Sequence, residues 1–261
     1  MLIPAINADY ENILCISNEI SINYYLGDTV DDPNMNIEVA SQINVIQQYN
    51  YDVVMVHLNV PDDTSLTYKL NKPFFPLLEK LGRVGLTIHN KSCKGYNANE
   101  ILFQQITWMH MELPAAVWYV ENEHNDLLGC MELIENLRKV GIESYLLLDT
   151  CHLQMDLAPH IRYLSFPDEV LKNTLYMYSK YIGALHLSCS RLSEGYNIKT
   201  HGKPIKTPDD EKYFRSLLDM IRIIPFKNDV IVIPEVLEDD YTMAGDRANG
   251  KKAYAIIKEY M

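Results

Sequence analysis

From about residue 50 onward, short β-rich apolar runs alternate with longer amphipathic segments, and this alternation limits the fold more than any other feature. Strands are expected at Asp52–His57, Val84–His89, Ala115–Glu121, Glu143–Asp149, Ile182–Leu187 and Asp229–Glu235. Helical patterns lie between them at Tyr68–Leu81, Asn99–Met111, Asp126–Val140, Asp168–Tyr181 and Pro208–Ile223, and Gly245–Tyr260 closes the chain. Pro167-Asp168-Glu169 and Thr207-Pro208-Asp209-Asp210 read as helix starts. Strand and helix alternating at this spacing give parallel strands joined by right-handed crossovers. An open doubly wound sheet and a closed (β/α)8 barrel both fit. The barrel typically takes about 250 residues, and the chain has 261. No GxGxxG or GxxxxGK[ST] follows an early strand, so the main support for a nucleotide-binding sheet is missing. The expected fold is α/β, a single (β/α)8 TIM barrel over residues 1–261 with a metal cluster at the C-terminal end of its strands. The first 50 residues must then supply two more strands: Asn12–Ile16, and a second near Ile20–Tyr25 or at the extreme N-terminus.

Composition agrees with one large domain, since 48% of the residues are hydrophobic. No apolar run approaches the roughly 20 residues that span a bilayer, so no membrane partner is expected. The start, Met1-Leu2-Ile3-Pro4-Ala5, has no basic segment and no small-residue cleavage site. The five cysteines, Cys15, Cys93, Cys130, Cys151 and Cys189, are scattered and odd in number, without CxxC spacing. Thiols in a reducing compartment follow, and the expected location is cytoplasmic rather than secreted, a nucleoid-associated or intracellular viral site included. The formal net charge of −12 argues against a phosphate-neutralising surface. Clustered acidic ligands, however, count as negative in that sum, and divalent ions bound to them invert the local field.

The strand ends carry the chemistry. They present His57, His89, Glu121, Asp149 with His152, His186 and Glu235, and His201 stands in the loop after His186. All strands of a barrel end on one face, where active sites are built. Each residue alone has an ordinary explanation: His57 as a satisfied buried histidine, Glu121 as a helix-capping carboxylate. Of the eight histidines, only His110, His124 and His160 fall outside the pattern. Mixed imidazole and carboxylate donors favour zinc, with manganese or iron as alternatives, over calcium or magnesium. Seven or eight donors exceed the three or four of one zinc site, so two or three ions are expected, with a carboxylate bridging. Clustered divalent ions suit in-line displacement at phosphorus. Cys151 lies between two candidate ligands, and the alternation of the preceding strand is expected to turn it away from them.

Leu148-Asp149-Thr150-Cys151-His152 resembles the most distinctive signature of the endonuclease IV family of apurinic/apyrimidinic endonucleases, zinc-dependent (β/α)8 enzymes of base excision repair. Val120-Glu121-Asn122 and His186-Leu187 resemble that family's glutamate and histidine strands, and Glu235 follows Ile231-Val232-Ile233-Pro234 where its last strand presents a carboxylate. The similarity covers about residues 52 to 240. It implies a first metal on His57, His89 and Glu121, with Glu121 bridging to a second on Asp149, His186 and Glu235. A third would use His152, His201 and one further carboxylate. Glu121, Asp149 and Glu235 would be the catalytic carboxylates, and the partner would be double-stranded DNA with abasic sites or blocked 3′ ends, met by a monomer. Asp149 and His152 would serve different metals, with the strand as spacer. The chain departs from the family at Lys199-Thr200-His201, where Asp-x-His is usual, and at Ser188-Cys189. Glu194 is a candidate substitute for the missing carboxylate. His57-Leu58-Asn59-Val60-Pro61 also differs from the family's usual sequence after its first histidine.

Two further readings use overlapping residues. A UV-damage-endonuclease-like nuclease shares the barrel and ligand types, and the Glu121–Asp126 turn is compatible with it. A single-metal sugar isomerase or epimerase of the xylose-isomerase-like barrels would need Glu121, Asp149, His186 and Glu235 alone. His57, His89 and His152 are superfluous for it. Among the 18 tyrosines, Tyr24, Tyr25 and Tyr196 are candidates for contacting an opened duplex, by expected loop position.

Overall fold

A computed structural model describes residues 1–8, 21–25, 54–58, 60–61, 63–90, 97–122, 126–157, 167–189, 204–236 and 248–260. The strands are β1 (Leu2–Ala8), β2 (Ser21–Tyr25), β3 (Val54–His57), β4 (Gly85–His89), β5 (Val117–Glu121), β6 (Ser144–Asp149), β7 (Ile182–Leu187) and β8 (Val230–Pro234). Their order, β1 through β8 in sequence, is that of a closed (β/α)8 barrel. The longer helices are α1 (Ala98–Glu112), α2 (Leu127–Lys139), α3 (Thr150–Leu157), α4 (Pro167–Tyr178), α5 (Pro208–Arg222) and α6 (Ala248–Glu259). No helix among the described residues is long and apolar enough to cross a membrane. The chain forms two compact units, Ala8–Leu146 and a second made of Met1–Asn7 with Leu147–Met261.

In the unit Ala8–Leu146, β2, β3, β4 and β5 pair in parallel, with Tyr25 opposite His57, His57 opposite Thr87, and His89 opposite Glu121. Every residue of β5 is buried, as expected for a parallel strand covered on both faces. Gly85 makes this packing fit: a Cβ there would come within 3.0 Å of both Met55 Cγ and the Tyr119 ring. The segment expected as one helix from Tyr68 to Leu81 is instead a broken run of short α and 3-10 turns over residues 64–81. Pro73 and Pro76 are the cause, because each removes a backbone donor and crowds the preceding turn. Asp126 caps α2, its Oδ1 accepting the Gly129 N–H at 2.8 Å, and a side chain on Gly129 would collide with that carboxylate. At the other end Gly141 adopts φ 83°, and the Gly141 and Ile142 N–H groups return to the Arg138 and Leu137 carbonyls. That is the glycine stop by which helices commonly end.

In the other unit β1 and β7 flank β8, again in parallel. The expected start of α5 is a complete capping box: Thr207 Oγ1 accepts the Asp210 N–H, and Asp210 Oδ2 accepts the Thr207 N–H. Phe214, Leu217, Leu218 and Ile221 form its buried stripe. Of the strands sought in the first 50 residues, both places suggested for the second hold one, at Leu2–Ala8 and Ser21–Tyr25. Asn12–Ile16 lies outside the described residues. Cys130, Cys151 and Cys189 are buried thiols, and Cys15 and Cys93 lie outside the described residues.

One part-buried contact makes stability depend on pH. Trp118 is fully buried, and its Nε1–H donates to His110 Nδ1 at 3.3 Å. Burial lowers the His110 pKa from its ordinary 6.5. The folded chain therefore resists a proton that the unfolded chain accepts, so stability is lost as pH falls from about 6.5 through the lower folded value. Melting temperature should drop as buffers are taken from neutral to mildly acidic, and His110→Gln, which keeps an acceptor for Trp118, should drop less. Equal pH slopes in the two proteins would refute this role.

Candidate metal centre

Within Ala8–Leu146, His57, His89 and Glu121 stand at the last positions of β3, β4 and β5. The backbone ladder continues just past them: Leu58 N–H donates to Thr87 O, and Asn90 N–H donates to Glu121 O, each at 2.9 Å. The ligand-bearing residues are thus held by main chain, not by loop. Glu121 Oε2 lies 2.8 Å from His57 Nε2 and 3.3 Å from His89 Nε2, and the two rings meet edge to face at 4.6 Å. His57 and Glu121 are buried, and His89 is half-buried. Asn90 Nδ2 donates to Asp126 O at 3.2 Å and to Asp126 Oδ2 at 3.3 Å. The residue after His89 is thereby tied to the cap of α2.

In the other unit Asp149 ends β6, His186 is the penultimate residue of β7, and Glu235 directly follows β8. Glu235 N–H still donates to Leu187 O at 2.8 Å, so Glu235 extends the ladder by one residue. His186 Nδ1 lies 3.9 Å from Asp149 Oδ2 and 3.7 Å from Glu235 Oε2. Asp149 is fully buried and divides its two oxygens. Oδ1 accepts the Cys151 and His152 N–H groups at 2.5 and 2.9 Å, capping α3, while Oδ2 turns toward His186. His152 Nδ1 lies 3.7 Å from the same Oδ2.

The strand was expected to space Asp149 from His152, and this is corrected. β6 stops at Asp149 and α3 begins at Thr150, so His152 stands on the first helical turn. The same change alters the reasoning for Cys151. It is held away by its place in a helix rather than by strand alternation, and it joins none of the donor groups among the described residues.

Two observations test whether these residues suit a metal ion. In the tautomer that donates Nδ1–H to Leu58 O, at 3.2 Å, His57 Nε2 turns a lone pair toward the Glu121 carboxylate. A proton on Nε2 makes this 2.8 Å contact a hydrogen bond, and a cation that displaces the proton would take both atoms as ligands; a ring N–H on a backbone carbonyl is how metal-bound histidines are usually oriented. Second, a four-coordinate shell with ~2.0–2.1 Å bonds sets its ligand atoms about 3.3–3.4 Å apart. The ligand atoms of His57, His89 and Glu121, and those of Asp149, His186 and Glu235, lie within 4.8 Å of one another in each group. Thr87 Oγ1 adds to this. It is buried, on the face of β4 that carries His89, and has no hydrogen-bond partner among the described residues; such an atom marks room for a water or an ion. Both groups can therefore hold a divalent ion.

His201, with Lys199 and Glu194, lies outside the described residues, as does Tyr196. Tyr24 and Tyr25 stand on a strand, paired with Val56 and His57, and not in a loop as expected. Two residues beside the groups were given no role from the sequence: Asn90, next to His89, and Thr150, which stands inside the Asp149–His152 signature. A polar residue immediately after a strand-end ligand is the one cue that could have pointed to them.

No protein-family model and no curated protein sequence matches the chain. Among solved structures it is similar to the TTHB071 protein from Thermus thermophilus, from a crystal soaked with ZnCl2. The identity is 12% and the TM-score 0.56, with 98% of this chain and 97% of that one covered. At that identity the likeness is one of fold, and it extends over nearly the whole of both chains.

Proposed function

We propose that the chain is a metal-dependent endonuclease of base excision repair, hydrolysing the DNA phosphodiester 5′ to an abasic site and trimming blocked 3′ ends. The observation that carries this reading is the gathering of imidazole and carboxylate donors at or beside strand C-termini of a (β/α)8 fold, His57, His89 and Glu121 in one group and Asp149, His186 and Glu235 in another. A sugar isomerase with one metal has no use for His57 and His89 beside Glu121. The Asp149-Thr150-Cys151-His152 signature adds the resemblance to the endonuclease IV family. Zinc is the ion the donors favour, two or three per chain, with manganese or iron as alternatives. His152 with His201 is the proposed third holder. Double-stranded DNA is the proposed partner, bound by a monomer in the cytoplasm.

Divalent ions held here would supply charge stabilisation at a phosphoryl oxygen undergoing in-line displacement. The chain's own residues prepare for that. The Leu58 carbonyl fixes the His57 ring, so that Nε2 points at Glu121. The α3 cap holds Asp149 in one rotamer, so that Oδ2 faces His186. Burial of Glu121 and Asp149 keeps bulk water from screening their carboxylate charges. Cys151 is buried and is not offered as a nucleophile.

The test is a duplex with one abasic site, together with elemental analysis of the purified protein. Cleavage on the 5′ side leaving a 3′-hydroxyl is expected, with about two or three ions per chain. One ion per chain with no cleavage would overturn the proposal, and interconversion of a sugar by that protein would establish the isomerase alternative.

A further inference from the structure

β6 stands next to β7 in the strand order and ends at Asp149, and Thr150 already begins α3. Where a strand neighbour ends, the backbone groups facing it must be satisfied in another way. Here one side chain does it. Thr150 Oγ1 donates to His186 O and accepts the Ser188 N–H, both at 3.1 Å. The hydroxyl thus takes the place of the C=O and N–H that another strand residue would have offered. Thr150, His186 and Ser188 are all buried, with Thr150 1% exposed, so water does not compete for these bonds. On its opposite edge the end of β7 is held by Glu235 N–H on Leu187 O, at 2.8 Å.

We propose that Thr150 is a positioning residue for the donor group Asp149, His186 and Glu235. Its neighbour Asp149 is fixed by capping α3, and Thr150 locks the His186 backbone to the same helix start. The separation of His186 Nδ1 from Asp149 Oδ2 is set by this pair of adjacent residues. A hydroxyl is required because one atom must both donate and accept. This inference rests on the reading of the group as a metal site.

The test is zinc competition against a chromophoric chelator, which gives stepwise affinities without any activity assay, on the full chain and on Thr150→Val, Thr150→Ala and Thr150→Ser. Glu235→Gln marks which step belongs to this group. In Thr150→Val that step should weaken by about 10–100-fold, the usual effect of losing an orienting partner. The other step and the circular dichroism spectrum should be unchanged. Thr150→Ala removes the same hydroxyl without placing a methyl against the His186 carbonyl, and gives the reading if the valine variant does not fold. Thr150→Ser should restore wild-type affinity. Weakening that serine does not rescue, or wild-type affinity in valine and alanine, overturns the positioning role alone. A wild-type chain that takes up no zinc overturns both this inference and the proposed function.

Discussion

Replacing Glu121 by glutamine should lower cleavage of an abasic-site duplex by on the order of a thousandfold, with the barrel still folded. Glu121 is buried at the end of β5, and its Oε2 is the atom that both His57 and His89 approach, at 2.8 and 3.3 Å. The amide preserves size and shape but removes the negative charge. With the NH2 turned inward, a donor faces the imidazoles where an anionic oxygen stood. Either orientation weakens the hold on a divalent cation. The main chain of residue 121 is unaffected, since its carbonyl still accepts the Asn90 N–H. A circular dichroism spectrum and melting curve separate loss of the site from loss of the fold. A folded Glu121→Gln protein cleaving at the wild-type rate would remove this group from the mechanism.

The second large effect concerns stability. Metal-stripped protein should melt at a temperature that climbs as zinc is added back, because an ion binding only the folded chain stabilises it by mass action. At a thousand times its dissociation constant one site contributes about 4 kcal/mol, and each kcal/mol moves the melting point of a chain this size by roughly 2–4 °C. An increase of about 10 °C from the first site alone is therefore expected. His57→Ala should remove the increment that belongs to one group, and Glu235→Gln that of the other. Comparison of each variant with the wild-type chain assigns the increment to its group. A melting temperature indifferent to zinc would mean that neither group holds a metal under these conditions.

The elements that were legible beforehand share a property. β4, β5, β6 and β7 are short apolar runs flanked by amphipathic stretches, and their ends fall within two residues of expectation. Burial on both faces of a parallel strand demands such runs, so the pattern is local and visible. Other features resisted for identifiable reasons. β1 contains Pro4, which lacks an amide donor and reads as a strand breaker; it is tolerated here opposite Val232 of β8. The helix over 68–81 has the right apolar spacing but two prolines inside it, and chain stereochemistry overrode periodicity. α3 is eight residues long, and its N-cap is Asp149 itself, so the residue that looked like the end of a strand is also the start of a helix.

What the sequence alone determined is the alternation that makes a (β/α)8 order, together with the placing of His57, His89, Glu121, Asp149, His186 and Glu235 at or beside strand ends. Both follow from burial period and chain position, which are local quantities. Only the tertiary structure decided which side chains meet. His57 and Glu121 are 64 positions apart, yet their ligand atoms approach to 2.8 Å, a distance set by strand register rather than by any neighbour in the chain. It also decided that one Asp149 oxygen caps a helix while the other faces His186, and that Thr150 completes the edge of β7. The reason is physical: a hydrogen bond or ligand shell depends on sub-ångström placement of groups from different strands, and a one-dimensional pattern carries no such distances.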